Sequence, residues 1–192
     1  MNAKYRSLFI IIALAGALSF NARADEPTAF NLAQKGNDYV GVQSKDKLVQ
    51  IRSEKSVGSM TPNIWYVVYY DPDATFKSVE VKFGAGQKMD VSHPWRAIEM
   101  ATDQHTLLDK DKLKVDSDRA LKIASAQPLL KNLTLRASKL TLDHSDTGPV
   151  WTVQFWAAKL KNPNDNADVG IVVLSATDGS VVKTDLHPNS VD

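Results

Sequence analysis

Asp71 and Asp73 flank Pro72, and His93 follows further along the chain. Two carboxylates and an imidazole within hydrogen-bonding reach of one another are equipment for acid–base hydrolysis. Asp and Pro directly after a strand-like run are also ordinary turn residues, so a hydrolase using Asp71, Asp73 and His93 stands as the minor alternative. Asp143 and Asp146 read the same way. The four histidines, His93, His105, His144 and His187, fall in no H-E-x-x-H or comparable ligand spacing. His93 and His187 each precede a proline, and they would form a metal or pH-sensitive pair only if the two stretches met. Pro alone accounts for an extended residue before it. Asn162, Asn164, Asn166 and Asp168 alternate oxygen-bearing side chains as a calcium loop does. The sixth position is Ala167 where such a loop needs Gly, and the twelfth is Val173 where it needs a bidentate Glu. There is no Cys, no G-x-S-x-G and no phosphate-binding glycine loop, since the GAG at 84–86 lacks a strand-to-helix setting. The expectation is no catalytic residue, no metal and no cofactor.

Aromatic residues are the stronger lead. In IWYVVYY (64–70), alternation puts Trp65, Val67 and Tyr69 on one face and Tyr66, Val68 and Tyr70 on the other. In WTVQFW (151–156), Trp151, Val153 and Phe155 share one face, and Thr152, Gln154 and Trp156 the other. One face of each strand must cover a helix. The opposite face then displays Tyr66, Tyr70 and Trp156, rigid amphipathic rings of the kind that anchor protein interfaces. The same pattern allows these rings to be buried between two halves of the molecule, and the residues leave both arrangements open. An exposed sheet edge could also take up a peptide by strand addition.

The elements that position these rings occur in the same order in both halves of the chain. In the second half, Asp116-Ser117-Asp118 suits a helix N-terminus, RALKIASAQ supplies a helical face, and Pro128 ends it. NLTLRASKLTLD is strand-like with a slip near Ser138 that predicts a bulge. GPVWTVQFWAAKL, VGIVVLSA and VVKTDL are three further strands, the last two joined by a TDGS turn. In the first half, FNLAQKGNDYVG is a weaker helix containing Gly36. KLVQIRSEKSV, IWYVVYY, FKSVEVKFG and KMDV follow as strands. Trp65 aligns with Trp151, and each half ends in a glycine turn, a strand bearing one Asp, and His-Pro. The reading is an α+β fold of two tandem modules, each a helix on a small antiparallel sheet, over 25–94 and 117–192. Residues 95–116 join them, with helical apolar spacing at Trp95, Ile98, Ala101, His105 and Leu108 before the charged DKDK.

Residues 1–24 read as a cleaved signal peptide: Lys4 and Arg6, the apolar run LFIIIALAGALSF, then Ala22-Arg23-Ala24 before the expected cut. That run is short of the roughly 20 residues a membrane span needs, so the expected location is the periplasm or the medium, with no membrane association after cleavage. Cleavage removes Lys4, Arg6 and Arg23 and no acid, leaving 20 basic against 22 acidic residues. A net charge so near zero gives no electrostatic reason to bind nucleic acid. Without cysteine, an exported chain has no disulfide to stabilise it, so its apolar core must suffice.

DRALKIASA as an opening helix, PVWTVQF as a Trp-bearing strand and VVLSATDGSVVKTD as a closing hairpin resemble the PepSY-like family of small exported modules. The likeness covers about seventy residues of the second half and the first half only faintly, where Gly84-Ala85-Gly86 replaces the acidic turn. In overall plan, two such units are also similar to the β-lactamase inhibitor proteins. The resemblance implies a non-enzymatic role, binding or inhibiting a peptidase or holding another envelope protein. The expected function is therefore a binding module with a protein or peptide partner; an interaction protein without small-molecule chemistry is the next reading.

Overall fold

A computed structural model describes residues 27–94 and 107–192. The proposed signal peptide and most of the proposed linker helix (95–106) lie outside the described residues; of that stretch, 107–116 holds only a 3-10 turn, Lys110–Lys112. Helix α1 is Ala29–Gly36, followed by β1 (Leu48–Ser53), β2 (Ile64–Tyr70), β3 (Ser78–Gly84) and β4 (Gln87–Ser92). Helix α2 is Ser117–Ser125, followed by β5 (Leu135–Ser145), β6 (Gly148–Ala158), β7 (Asn166–Ser175) and β8 (Val181–Leu186).

The expected pair of separate helix-on-sheet modules is not what forms. Among the described residues, eight strands make one antiparallel sheet in the order β4-β3-β2-β1-β5-β6-β7-β8, accompanied by two short α-helices. The join is β1 against β5, where Ile51 faces Leu142 and Arg52 faces Thr141. Two separate four-stranded sheets would leave β1 and β5 each as a strand edge with unpaired N–H and C=O groups; pairing them hides both. Side-chain alternation reports which face a residue occupies and carries no information about which edge pairs with which, so the join was not legible.

Beyond Arg52–Thr141 the two backbones part, and serine hydroxyls complete the hydrogen bonding. Leu140 N–H donates to Ser53 Oγ at 2.9 Å and Ser138 N–H to Ser56 Oγ at 2.9 Å. Ser56 N–H donates to the Ser138 carbonyl at 2.8 Å, and Ser138 Oγ–H to the Met60 carbonyl at 2.6 Å. All three serines are buried, so each backbone group left by the parting strands needs such a partner. An interposed hydroxyl holds two backbones further apart than a direct bond does. The seam therefore opens into a groove on one face. The register shift in β5 falls between Leu135 and Ala137, ahead of Ser138, where the alternation placed a bulge; Ser138 itself pairs in register with Phe155.

The two helices rest on the other face, α1 against β1 and β2, α2 against β6 and β7. A single apolar cluster runs beneath both, from Val81 and Phe83 through Trp65, Ile51 and Leu140 to Trp151, Phe155 and Leu174. Phe30 of α1 stacks on Trp151 with ring centroids 6.2 Å apart. The helix starts are also tied together: Ala29 N–H donates to Ser117 Oγ and Phe30 N–H to Asp116 Oδ1, at 3.0 and 3.1 Å. Two otherwise unpaired N–H groups of α1 are thus capped by the N-cap residue Asp116 and the first residue, Ser117, of α2. Gly36 weakens a helix by propensity, yet it has a packing reason. A Cβ there would collide with Tyr69 Oη, which donates to the Ala33 carbonyl at 2.5 Å.

Candidate interaction face

The face opposite the helices is built by register. One row crosses all eight strands: Asp90, Lys82, Tyr66, Arg52, Thr141, Thr152, Val173 and Lys183, each the paired neighbour of the next. Beside it runs a second row, Glu80, Val68 and Gln50. Arg52 joins the two rows. Its guanidinium donates to Glu80 Oε2 at 2.5 Å and to Gln50 Oε1 at 3.4 Å, and Gln50 Nε2 donates to Asp143 Oδ1 at 2.6 Å. This polar chain lies over Val68, which is fully buried although it is on the face opposite α1 and α2.

On the row's other side lies the seam groove, about 530 Å³, lined by Arg52, Glu54, Lys55, Tyr66, Lys139 and Trp156 together with Ser53 and Gln154. Tyr66 Oη donates to Glu54 Oε1 at 2.5 Å, and Lys82 Nζ reaches the same oxygen at 3.4 Å. The Tyr66 hydroxyl holds the Glu54 carboxyl below its usual range; burial opposes it, and Lys82 adds to the lowering. Gln154 Nε2 donates to Asp168 Oδ2 at 2.6 Å and so walls the groove toward β7.

Tyr66, Tyr70 and Trp156 sit on this face, each half-buried. The structure brings Tyr66 and Trp156 together in the seam groove. Tyr70 lies four residues further along β2, about 13 Å away at 3.3 Å per residue, and does not line it. Each ring is covered by a cation. Arg52 Cζ is 4.5 Å and Lys82 Nζ 5.0 Å from the Tyr66 centroid, Lys55 Nζ 4.3 Å from that of Trp156, and Lys47 Nζ 5.6 Å from that of Tyr70. Sequence reasoning missed these cations. The available signal was the i, i+2 spacing of Gln50 and Arg52 on β1, continued by Glu54 just after it, and of Glu80 and Lys82 on β3, which marks a polar face.

Among protein families, curated proteins and solved structures, no match to this chain was found.

The residues singled out for chemistry fall elsewhere. His93 follows β4 and His187 follows β8, at opposite edges of the sheet. Seven interstrand steps of about 4.8 Å separate the edge strands by roughly 34 Å, and antiparallel β4 and β8 exit at opposite ends of the sheet, so the two histidines form no joint site. Each meets its own carboxylate instead: His93 Nε2 lies 3.1 Å from Asp71 Oδ2, and His187 Nε2 3.2 Å from Asp185 Oδ1. Asp71 is buried and accepts the Asp73 N–H at 3.0 Å. Burial pushes its carboxyl up, but hydrogen bonds from Asp73 N–H, His93 and Gln43 outweigh that and hold it below the ordinary value. The Asn162–Asp168 stretch is a hairpin loop running into β7, with Asn162 Nδ2 donating to Asp165 Oδ2 at 2.9 Å. Among the described residues no three His, Asp or Glu side chains gather as metal ligands, and no helix is long and apolar enough to cross a membrane.

Proposed function

We propose that the protein is a non-catalytic binding module, exported to the periplasm or the medium, whose sheet face opposite α1 and α2 holds a protein or peptide partner. One observation carries the reading: three aromatic rings, Tyr66, Tyr70 and Trp156, lie half-buried on a face that neither α1 nor α2 covers, each beside a cation. Such rings offer contact area at low entropic cost and are the usual anchors of interfaces. Export rests on the leader-like residues 1–24. The PepSY-like resemblance makes a peptidase or another envelope protein the partner class to try first.

The test is capture from an envelope extract by immobilised wild-type protein alongside Tyr66→Ala and Trp156→Ala, with circular dichroism of each. A partner held in stoichiometric yield by the wild type and lost by folded variants supports the reading. Equal retention by all three contradicts it. A hydrolase has one observation in its favour, the His93–Asp71 contact. It would be established by turnover on a broad substrate panel that His93→Ala removes.

A further inference from the structure

We propose that the groove at the β1–β5 seam is a carboxylate-binding cleft that takes an acidic segment of the protein partner. The proposal rests on the reading of the face opposite α1 and α2 as a contact surface and adds the chemistry of what it contacts. Arg52, Lys55 and Lys139 line the groove against one acid, Glu54. That acid is already engaged by the Tyr66 hydroxyl and Lys82. Arg52 is engaged by Glu80 and Gln50. Lys55 and Lys139 are both exposed and meet no carboxylate among the described residues.

The groove is thus locally positive in a chain with 23 basic and 22 acidic residues. Complementary charge is what selects partners and speeds encounter. The Trp156 ring under Lys55 supplies an apolar floor for the methylene part of a Glu or Asp side chain. A polyanion such as nucleic acid or an anionic bilayer presents continuous negative charge, and Glu54 at the wall and Asp168 just beyond Gln154 would oppose it. Discrete carboxylates on an extended segment can avoid both.

Titration of the full-length protein with acetylated hexaglutamate, hexaglutamine and hexalysine peptides, followed by calorimetry, tests this. Hexaglutamate should bind at least ~10-fold more tightly than hexaglutamine, and the difference should shrink at about 0.5 M salt. Reversing both free lysines (Lys55→Glu with Lys139→Glu) should remove at least ~10-fold of hexaglutamate affinity without changing circular dichroism. Tyr70→Ala, outside the groove, should change nothing. Equal binding of hexaglutamine, or hexaglutamate binding that survives the charge reversal, overturns the carboxylate cleft. The contact-face reading then still stands if Trp156→Ala abolishes capture of a partner, and falls with it if capture is unaffected. No binding by any peptide likewise overturns the cleft, as does Lys55- and Lys139-dependent binding to phosphatidylglycerol vesicles without binding to hexaglutamate.

Discussion

Strand β6 carries two tryptophans on opposite faces of the sheet, and they have different neighbours. Trp151 is fully buried, donates Nε1–H to the Val115 carbonyl at 2.7 Å and stacks under Phe30 of α1. Trp156 is half-buried, with Lys55 Nζ 4.3 Å above its ring. What closes the first ring is a helix and a fixed backbone bond, part of a core that opens only with unfolding. A flexible ammonium covers the second, worth about 0.5–1 kcal/mol at an exposed site. A partner can displace that lysine far more cheaply than it could lift a helix. The contrast separates a face that maintains the fold from one available for contact.

The comparison is sharpest at Trp151. Trp151→Ala should cost about 3–5 kcal/mol in urea unfolding, from the lost burial and cavity and from the unpaired Val115 carbonyl. A cost below about 1 kcal/mol would mean that the helix face is not the core. At the seam, Ser138→Ala leaves the Met60 carbonyl without its hydroxyl donor and should cost about 1–3 kcal/mol. Trp156→Ala should cost less than about 1 kcal/mol in the same unfolding experiment while partner capture is lost; a cost equal to that of Trp151→Ala would erase the distinction between the faces.

The smallest effect is in acid. The Asp71 carboxyl is held below the ordinary Asp range in the folded protein, so its contribution to stability is fully present above about pH 4. It is lost as pH falls through the folded value. In a series of unfolding curves between pH 2 and 5, Asp71→Asn should flatten this acid limb, whereas Asp185→Asn, at the exposed carboxylate beside His187, should leave it steep.

Much of the strand layout was legible. Ile64–Tyr70 and Val181–Leu186 have the bounds that alternation predicts, and the two faces of β2 and β6 are as the pattern sorts them. Each of those features rests on a side-chain period of two, which is written into the residues. The single sheet was not legible, because β1 and β5 are joined by backbone bonds and by serine hydroxyls whose partners are more than eighty residues away. For the same reason the likeness of the two His-Pro exits did not reveal that they lie at opposite edges. Tyr66, Tyr70 and Trp156 could be assigned to a face, but the cations over them could not. A cation over a ring depends on which strands are neighbours: Lys55 reaches Trp156 only because β1 lies beside β5.

The most direct test of the contact face is site-specific photo-crosslinking. A photoreactive phenylalanine analogue at position 156 would be compared with one at Lys122, exposed on α2 on the opposite face. The account predicts one discrete crosslinked partner from position 156 and none from position 122. Crosslinks from position 122 alone, or the same products from both positions, would contradict it.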